Sequence, residues 1–374
     1  MQLHKNDSSD LSQNIKGAEI LLPTADLNAD LAFFMNTLGF SMTMIYPADN
    51  PRVSVLSGYG LTIRLEQGIS LPPPTLRILC ENPDSLTDGL TDLIAPNGVR
   101  VEVQEANPPL EIPQTEHSFL VRRLKDNAPW VIGRAGMQYR DLVPGRLGGS
   151  IIASHIRIPN AGPVPDVVHY HTVGFQLIFA YRGEVRLVYE DQGPPFLLKA
   201  GDCLIQPPEI RHRVLESSNN LQVIEIGVPA EHVTTIDDKM ELPTPKINSD
   251  RIFSGQKFCR NQVKDAKWEP WRIDGFEARN TGILEATDGI ASVQIARAKE
   301  GNSHQTTSHT GDILFTFVME GSLTLDGGEE GVYHLEAGDA YVIPPHKKTT
   351  FTDYSENLEL LEVAVPGSFE TINH

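Results

Sequence analysis

The chain has 374 residues, which is too long for one ordinary hydrophobic core and predicts two or three domains. Its formal net charge of −18 argues against general binding to nucleic acid or to an anionic membrane, because the long-range field repels phosphate groups. The sequence contains no apolar run that could span a bilayer, and its polar N-terminus lacks the apolar core of a signal peptide. Its three cysteines are widely spaced and indicate neither a disulfide framework nor a zinc knuckle, so a reduced, cytoplasmic protein is expected.

The first part of the chain predicts a polar, disordered tail over residues 1–15 and then a strand, a helix and further strands. The helix is predicted over 26–37, because Leu27, Leu31 and Phe34 fall on one face and Gly39 stands where a C-terminal cap belongs. Strands are predicted over 18–23, 41–46, 52–57 and 61–66. Residues 75–105 are predicted to be a shortened second copy, with a helix near 86–94.

This order of elements resembles a βαβββ module of the vicinal-oxygen-chelate superfamily, the group of glyoxalase and bleomycin-resistance proteins, over about residues 16–68. The resemblance implies a small α+β domain over 16–110. Metal ligands in that superfamily lie on the first strand and near the end of the last, where this chain has Glu19 and, more loosely, Glu66. Neither position is a histidine, so a structural or interaction role is favoured over a metal site. Residues 111–145 are predicted to be a connector that wraps a neighbouring domain.

The rest of the chain contains an internal repeat. Ile152-Ala153-Ser154 recurs as Ile290-Ala291-Ser292, His171 as His309 and Gly183 as Gly321 at an offset of 138, and Gly201-Asp202, Pro207-Pro208 and Glu225 recur as Gly338-Asp339, Pro344-Pro345 and Glu362 at an offset of 137. Each copy has short alternating strands that are divided by glycine, proline and acidic turns. That pattern predicts two small antiparallel barrels or jelly rolls, so the fold class is mainly β with a small α+β domain in front.

The first copy carries histidines at a spacing that suits a metal site. His169 and His171 lie on one face of a strand, because side chains alternate with period two. Together with Gln176 and Gly183, and with Gly201, Pro207 and His212, they resemble the two motifs of the cupin superfamily. The resemblance implies a bicupin, with the first cupin over 146–240, a linker over 241–278 and the second cupin over 279–374. It also implies one divalent metal ion bound by His169, His171 and His212, with position 176 as the fourth ligand.

Position 176 departs from the common cupin pattern, which has glutamate there. The amide of Gln176 would leave the site about one charge more positive, which favours a stronger Lewis acid and an anionic chelating substrate such as an enolate or a carboxylate. An amide is also a weaker ligand, so Gln176 could instead orient substrate or water and leave a site of three histidines. Imidazole and amide ligands suit iron(II), which is favoured, but also nickel, manganese or zinc.

The second copy lacks this ligand set. Thr307, Leu314 and Thr349 replace His169, Gln176 and His212, and His309 remains alone, so the second cupin is predicted to be structural. The segment 268–272, which contains two tryptophans, is predicted to pack between domains.

Three residues near the first set are candidate catalytic groups. Arg157 could bind a carboxylate in a bidentate manner, Tyr181 could line the mouth of the site, and Glu225 could serve as an acid or a base if it faces inward.

The leading functional hypothesis is a metal-dependent cupin enzyme, namely a non-haem iron(II) dioxygenase acting on a small, oxygen-rich chelating substrate. A redox-neutral isomerase, lyase or decarboxylase is the second hypothesis. A non-catalytic sensor or small-molecule-binding bicupin is the third, and a scaffold without metal is the fourth. The expected partner is an anionic small molecule, not nucleic acid or a membrane, and the cupin resemblance also allows a homodimer.

Overall fold

The computed structural model describes residues 17–47, 51–84, 92–126, 129–237, 239–299 and 304–374. The chain divides into two compact units, Met1–Pro109 and Leu110–His374. None of the helices in these described ranges is both long and apolar enough to cross a bilayer. The predicted tail over 1–15 lies outside the described residues.

The first unit contains two small sheets around one core. Its elements are β1 (Ile20–Thr24), α1 (Leu27–Ala32) continued by a π-helical turn (Phe33–Thr37), β2 (Ser41–Tyr46), β3 (Val53–Gly58), β4 (Leu61–Gln67), β5 (Thr75–Cys80), β6 (Asp92–Ile94) and β7 (Arg100–Glu105). The first sheet has the order β1-β4-β3-β2, with β1 parallel to β4, and the second has the order β5-β7-β6. The predicted strand-helix-strand order is therefore present over 20–67.

Local chemistry explains where the helix of this unit begins and ends. The Asp26 side chain accepts a hydrogen bond from the Ala29 backbone N–H at 3.1 Å and caps α1. Gly39 has a φ of +75°, a conformation that glycine adopts without a steric penalty, and it follows the π-helical turn. The predicted helix near 86–94 is wrong at its end, because Asp92–Ile94 is a strand paired with β7, and 85–91 lie outside the described residues.

Glu19 and Glu66, the residues at the metal-ligand positions of the vicinal-oxygen-chelate module, both lie near one arginine. Arg64 places its Nε 2.8 Å from Glu66 and its Nη1 3.7 Å from Glu19. The guanidinium of Arg64 thus lies near both carboxylates. The resemblance of this unit to vicinal-oxygen-chelate proteins stays a prediction.

The second unit holds two barrels, each built from two antiparallel sheets. The elements of its first half are β8 (Leu120–Arg122), β9 (Val131–Ile132), β10 (Gln138–Asp141), α2 (Arg146–Gly149), β11 (Ile152–Ile158), β12 (Gly162–Pro163), β13 (His169–Thr172), β14 (Phe175–Arg182), β15 (Glu184–Tyr189), β16 (Phe196–Lys199), β17 (Cys203–Ile205), β18 (His212–Ser217), β19 (Leu221–Val228) and β20 (Val233–Ile236). The elements of its second half are β21 (Ile252–Phe253), β22 (Gln256–Lys257), β23 (Arg260–Asn261), β24 (Trp268–Pro270), β25 (Phe276–Asn280), α3 (Ile283–Ala286), β26 (Ser292–Ala298), β27 (Thr306–His309), β28 (Ile313–Glu320), β29 (Ser322–Asp326), β30 (Val332–Glu336), β31 (Ala340–Val342), β32 (Thr349–Thr352), β33 (Glu359–Val365) and β34 (Thr371–Asn373). Single 3-10 turns lie at Leu124–Asp126, Arg134–Gly136, Val263–Asp265 and Gly328–Glu330.

The two barrels have matching strand orders. In barrel 1 the larger sheet runs β23-β17-β14-β19-β11-β10-β9 and the smaller runs β16-β15-β18-β13-β20. In barrel 2 the larger sheet runs β8-β31-β28-β33-β26-β25-β24 and the smaller runs β30-β29-β32-β27-β34. The apolar residues of the two larger sheets form one continuous cluster that includes Phe175, Phe179, Phe315 and Phe317. Both barrels thus share a core, which accounts for the many apolar positions on both faces of these strands.

Each barrel takes its outermost strand from the segment that precedes the other. β8 comes before barrel 1 in the chain but pairs with β31 of barrel 2, and β23 comes before barrel 2 but pairs with β17 of barrel 1. Buried arginines repeat the exchange, because Arg140 Nη2 donates to the Gly338 carbonyl and Arg279 Nη2 donates to the Gly201 carbonyl at 2.7 Å. The segments predicted as connector and linker therefore contribute strands to the sheets of both barrels.

Strand registers also refine the internal repeat. Ile152 pairs with Gly227 and Ser292 pairs with Ala364, and these partners are related by the offset of 137 that joins Glu225 to Glu362. Ile152 is therefore equivalent to Ser292, two residues later than the sequence pairing with Ile290. Segment 268–272 is predicted to pack between domains; β24 is the edge strand of barrel 2, and Trp268 packs against the apolar cluster that the two barrels share.

Candidate metal centre

Three histidines of barrel 1 converge inside it. His169 and His171 lie on β13, and the antiparallel partner of His169 on β18 is His212. One ring nitrogen from each lies within 4.8 Å of the others, and the His169 and His212 ring centroids are 4.2 Å apart. In the described part of the chain, this is the one group of histidine, cysteine and acidic side chains with a geometry that could hold a metal ion.

Hydrogen bonds orient each of the three rings. Nδ1 of His169 lies 2.8 Å from the Val167 carbonyl, and Nδ1 of His212 lies 2.9 Å from the Ile210 carbonyl. Nδ1 of His171 lies 2.9 Å from the hydroxyl of Thr234, a residue of β20. With Nδ1 occupied in every ring, Nε2 is left to coordinate, which is the usual arrangement of metal-binding imidazoles in proteins.

Burial keeps these imidazoles neutral. The pKa of His171 is lowered to about 3, first by burial and then by the charge of neighbouring His169. Burial likewise lowers the pKa of His169, and it lowers the pKa of His212 well below its ordinary value. A neutral imidazole is the form that binds a metal, so the site holds its ligands ready at neutral pH.

Gln176 lies on β14, the next strand along the chain and part of the larger sheet, and is 1% exposed. Its Nε2 donates a 2.6 Å hydrogen bond to Oε1 of Glu225, a residue of β19. Its Oε1 is buried without a hydrogen-bond partner, as is Nε2 of His169. Buried polar atoms without partners are rare, and here both are of the types that ligate divalent metals. The donor set therefore fits a metal bound by three imidazoles and one amide oxygen.

The histidines open into a cavity of about 370 Å³ in barrel 1. Most of its wall is apolar and includes Ile156, Val185, Leu187, Val214 and Val223. Its polar lining includes His171, His212, Gln206, Glu225, His232 and Arg134. A mostly apolar cavity with a few converging polar groups is typical of small-molecule sites.

Arg134 is the arginine of this lining. Its Nη1 binds Oδ1 of Asp166, whose Oδ2 accepts a 2.9 Å hydrogen bond from the Val214 N–H. Oδ1 of Asp166, the oxygen that binds Arg134, lies 3.8 Å from Nδ1 of His169. The Arg134 side chain is 37% exposed, so other guanidinium donors remain for a ligand.

The three candidate catalytic residues are placed differently from one another. Glu225 lines the cavity, and burial raises its pKa, opposed in part by its hydrogen bond with Gln176. Arg157 donates to Gln138 at 2.6 and 2.9 Å and stacks 4.4 Å from the centre of the Trp130 ring, and it is not among the lining residues.

Tyr181 also lies outside the cavity lining. Its ring packs 5.0 Å from Phe317 of barrel 2, in the core that the barrels share, and its hydroxyl accepts a 3.1 Å hydrogen bond from the Arg182 guanidinium. The structure therefore brings Glu225 to the histidines and gives Arg157 and Tyr181 packing partners elsewhere.

Sequence reasoning missed Arg134, Asp166 and Thr234. These residues lie outside the two histidine segments, so spacing alone carried no signal for them. One signal was available, because Trp130 and Arg134 recur as Trp268 and Arg272 at the offset of 138 that relates His171 to His309.

In barrel 2 the residues equivalent to Arg134 and Glu225 form a buried ion pair. Thr307 and Thr349 pair on β27 and β32, where barrel 1 has His169 and His212. Arg272 donates from Nε to both Glu362 oxygens, at 2.9 and 3.1 Å, and from Nη2 to one of them, and the Glu362 side chain is 3% exposed. Nε2 of His309 is 3.0 Å from the Ile343 carbonyl.

Comparison with known proteins agrees with this architecture. The family model of the cupin domain matches residues 295–364, and no curated protein sequence gives a significant match. The structure of salicylate 1,2-dioxygenase from Pseudaminobacter salicylatoxidans is similar with a TM-score of 0.50 at 15% identity, covering 70% of this chain and 90% of that one. The fold is that of a bicupin.

One further protein and a variant of the first are also similar in structure. Oxalate decarboxylase from Lactobacillus farciminis, solved as a formate complex, has a TM-score of 0.50 at 15% identity and covers 69% of this chain and 89% of its own. A variant of the salicylate dioxygenase was solved in complex with gentisate, with a TM-score of 0.50 at 15% identity and coverage of 70% and 88%. Identities this low show the fold alone.

Proposed function

We propose that barrel 1 of this bicupin holds one divalent metal ion, iron(II) in preference to nickel, manganese or zinc, and that the protein is a non-haem dioxygenase. The observation that supports this most is the convergence of three neutral imidazoles, within 4.8 Å, whose Nδ1 atoms are all engaged. Bound iron(II) would supply a Lewis acid and a template for substrate and dioxygen.

The substrate class follows from the cavity. An apolar wall around about 370 Å³ suits a compact, largely apolar molecule, and the guanidinium of Arg134 suits a carboxylate on it. The proposed substrate is therefore a small carboxylate with a second oxygen that can chelate the metal.

Glu225 supports a second candidate reaction. Burial raises the pKa of this carboxyl, so it keeps a proton to higher pH than an exposed glutamate and could transfer one inside the cavity. A redox-neutral decarboxylase, lyase or isomerase would use such a group. Oxygen uptake during turnover separates the two reactions.

Metal analysis of the purified protein tests the proposal. Wild type loaded anaerobically with Fe²⁺ and desalted is expected to keep about one iron per chain. The His169→Ala and His212→Ala variants are expected to keep less than a tenth of that, because each loses a ligand from the site. His309→Ala, at the position of barrel 2 that is equivalent to His171, is the control and is expected to keep the full amount.

Retention of iron by both alanine variants at the wild-type level would overturn the metal site. With the site established, oxygen consumption is measured against a panel of small aromatic and aliphatic carboxylates. Uptake that requires both iron and substrate supports the dioxygenase, whereas substrate loss without uptake supports the redox-neutral alternative.

A further inference from the structure

The fourth ligand position of barrel 1 is backed by a carboxylate. The side chain of Gln176 reaches Glu225 on the neighbouring strand, where Ile178 is the register partner of Glu225. The 2.6 Å bond runs from the Gln176 amide nitrogen to Glu225 Oε1, which leaves the amide oxygen facing away from the carboxylate. That oxygen is buried and without a hydrogen-bond partner.

Barrel 2 shows what the same glutamate does without a metal site. Glu362 is the repeat equivalent of Glu225, and its neighbour across the barrel is Arg272. Leu314 replaces Gln176 there, so no amide is available to the carboxylate. Arg134 lies two residues past β9, as Arg272 lies two residues past β24. It binds Asp166 instead of Glu225. In barrel 2 a guanidinium balances the buried charge, and in barrel 1 that cation has a different partner.

We propose that Glu225 is the positioning residue of the metal centre, which fixes the amide of Gln176 with its oxygen towards the metal and supplies the negative charge that the common cupin glutamate supplies directly. The proposal rests on the metal site of the proposed function. In the common cupin site a carboxylate binds the metal directly, whereas here the carboxylate of Glu225 would act through the amide of Gln176. A carboxylate that accepts from an amide N–H also increases the electron density on the amide oxygen, which makes a weak ligand stronger.

The proposal is tested by exchanging the two side chains. Mn²⁺ is the probe, and its dissociation constant is measured by electron paramagnetic resonance of the free ion with full-length protein stripped of metal. Glu225→Gln is expected to weaken Mn²⁺ binding about 10- to 100-fold, the usual effect of removing a partner of a metal ligand. The double variant Gln176→Glu/Glu225→Gln, which restores a direct carboxylate ligand, is expected to bind within about threefold of wild type or tighter.

Two control variants complete the set. Glu216→Gln removes a carboxylate that is exposed on β18 and pairs with Arg186, and it is expected to leave Mn²⁺ binding unchanged. Glu362→Gln removes the equivalent carboxylate of barrel 2 and is also expected to leave Mn²⁺ binding unchanged. Far-ultraviolet circular dichroism checks that each variant is folded.

The visible absorption of bound Co²⁺ gives a second readout, because a changed oxygen ligand alters its intensity. Glu225→Gln is expected to change this spectrum, and the double variant is expected to differ from both. Mn²⁺ binding by Glu225→Gln within threefold of wild type would overturn the proposal. A double variant as weak as Glu225→Gln would overturn it as well, because Glu225 would then be needed for packing. If His169→Ala loses Mn²⁺ binding while either of these two results is found, the proposed metal site stands and only the role of Glu225 is rejected.

Discussion

The two barrels solve the same electrostatic problem in different ways. Each has a glutamate on its central strand, Glu225 or Glu362, and an arginine just past its edge strand, Arg134 or Arg272. In barrel 2 the two groups form a buried ion pair. In barrel 1 they lie apart, the arginine with Asp166 and the glutamate with Gln176, and both line a cavity that also contacts His171 and His212. The comparison shows that the same two residues bind each other in one barrel and take other partners in the barrel that carries the histidines.

The largest expected effect comes from breaking the Arg272–Glu362 ion pair of barrel 2. Arg272→Ala leaves Glu362 buried without a cation and is expected to destabilise the protein by about 3–5 kcal/mol. Arg134→Ala is expected to cost less, about 1–2 kcal/mol, since the Arg134 side chain is 37% exposed and water can replace it. Urea denaturation of both variants measures the difference.

Replacing both partners separates charge from packing in this measurement. The variant Arg272→Met/Glu362→Leu removes the ion pair without leaving an isolated charge, and it is expected to recover most of the lost stability. Equal destabilisation by Arg272→Ala and Arg134→Ala would show that the two arginines contribute equally to the free energy of unfolding, which would contradict the comparison.

A smaller effect is expected from pH on the metal-free protein. The pKa of His171 falls from 6.5 unfolded to about 3 folded, so below pH 6.5 the unfolded chain binds more protons. Stability is therefore fully present above pH 6.5 and falls towards pH 3, by up to about 1.4 kcal/mol per pH unit for this histidine. His171→Gln is expected to flatten the fall between pH 6 and pH 5, as measured by urea denaturation. An unchanged slope in His171→Gln would contradict the neutral, buried state of the ring.

The smallest effect is expected from adding ligands to barrel 2. Thr307→His/Thr349→His places two histidines beside His309 in the positions that barrel 1 uses. Metal content is expected to stay at the wild-type value, because the buried guanidinium of Arg272, whose charge adds to the effect of burial in lowering the pKa of His309, repels a cation. A second metal equivalent in this variant, with Arg272 in place, would show that the ion pair does not prevent metal binding in barrel 2.

The sequence predicted the parts of the site that depend on strand period and turn landmarks. His169 and His171 had to share a face, and the glycine and proline turns brought His212 to the same barrel. The direction of the Gln176 amide could not be predicted, because it depends on the pairing of β14 with β19. Glu225 was predicted as a candidate from its polar character on an apolar strand, but its partner was not.

Other misses have equally specific causes. Similar apolar strands can be aligned at more than one offset, and so Ile152 was matched two residues away from its structural equivalent. Arg134 lies in a segment that appeared to be a connector because its strands, β9 and β10, are only two and four residues long and carry little alternation. The cupin family model matches barrel 2, which lacks the histidines, so the match rests on barrel landmarks and carries no information on the ligands.

The exchange of outer strands has a consequence for truncated forms of this unit. Because β8 completes barrel 2 and β23 completes barrel 1, a half that is expressed without the other is expected to lose a strand from its larger sheet or to lack the carbonyl that its buried arginine, Arg140 or Arg279, binds. Neither barrel is therefore expected to be as stable alone as it is beside its partner, whether or not that partner binds a ligand.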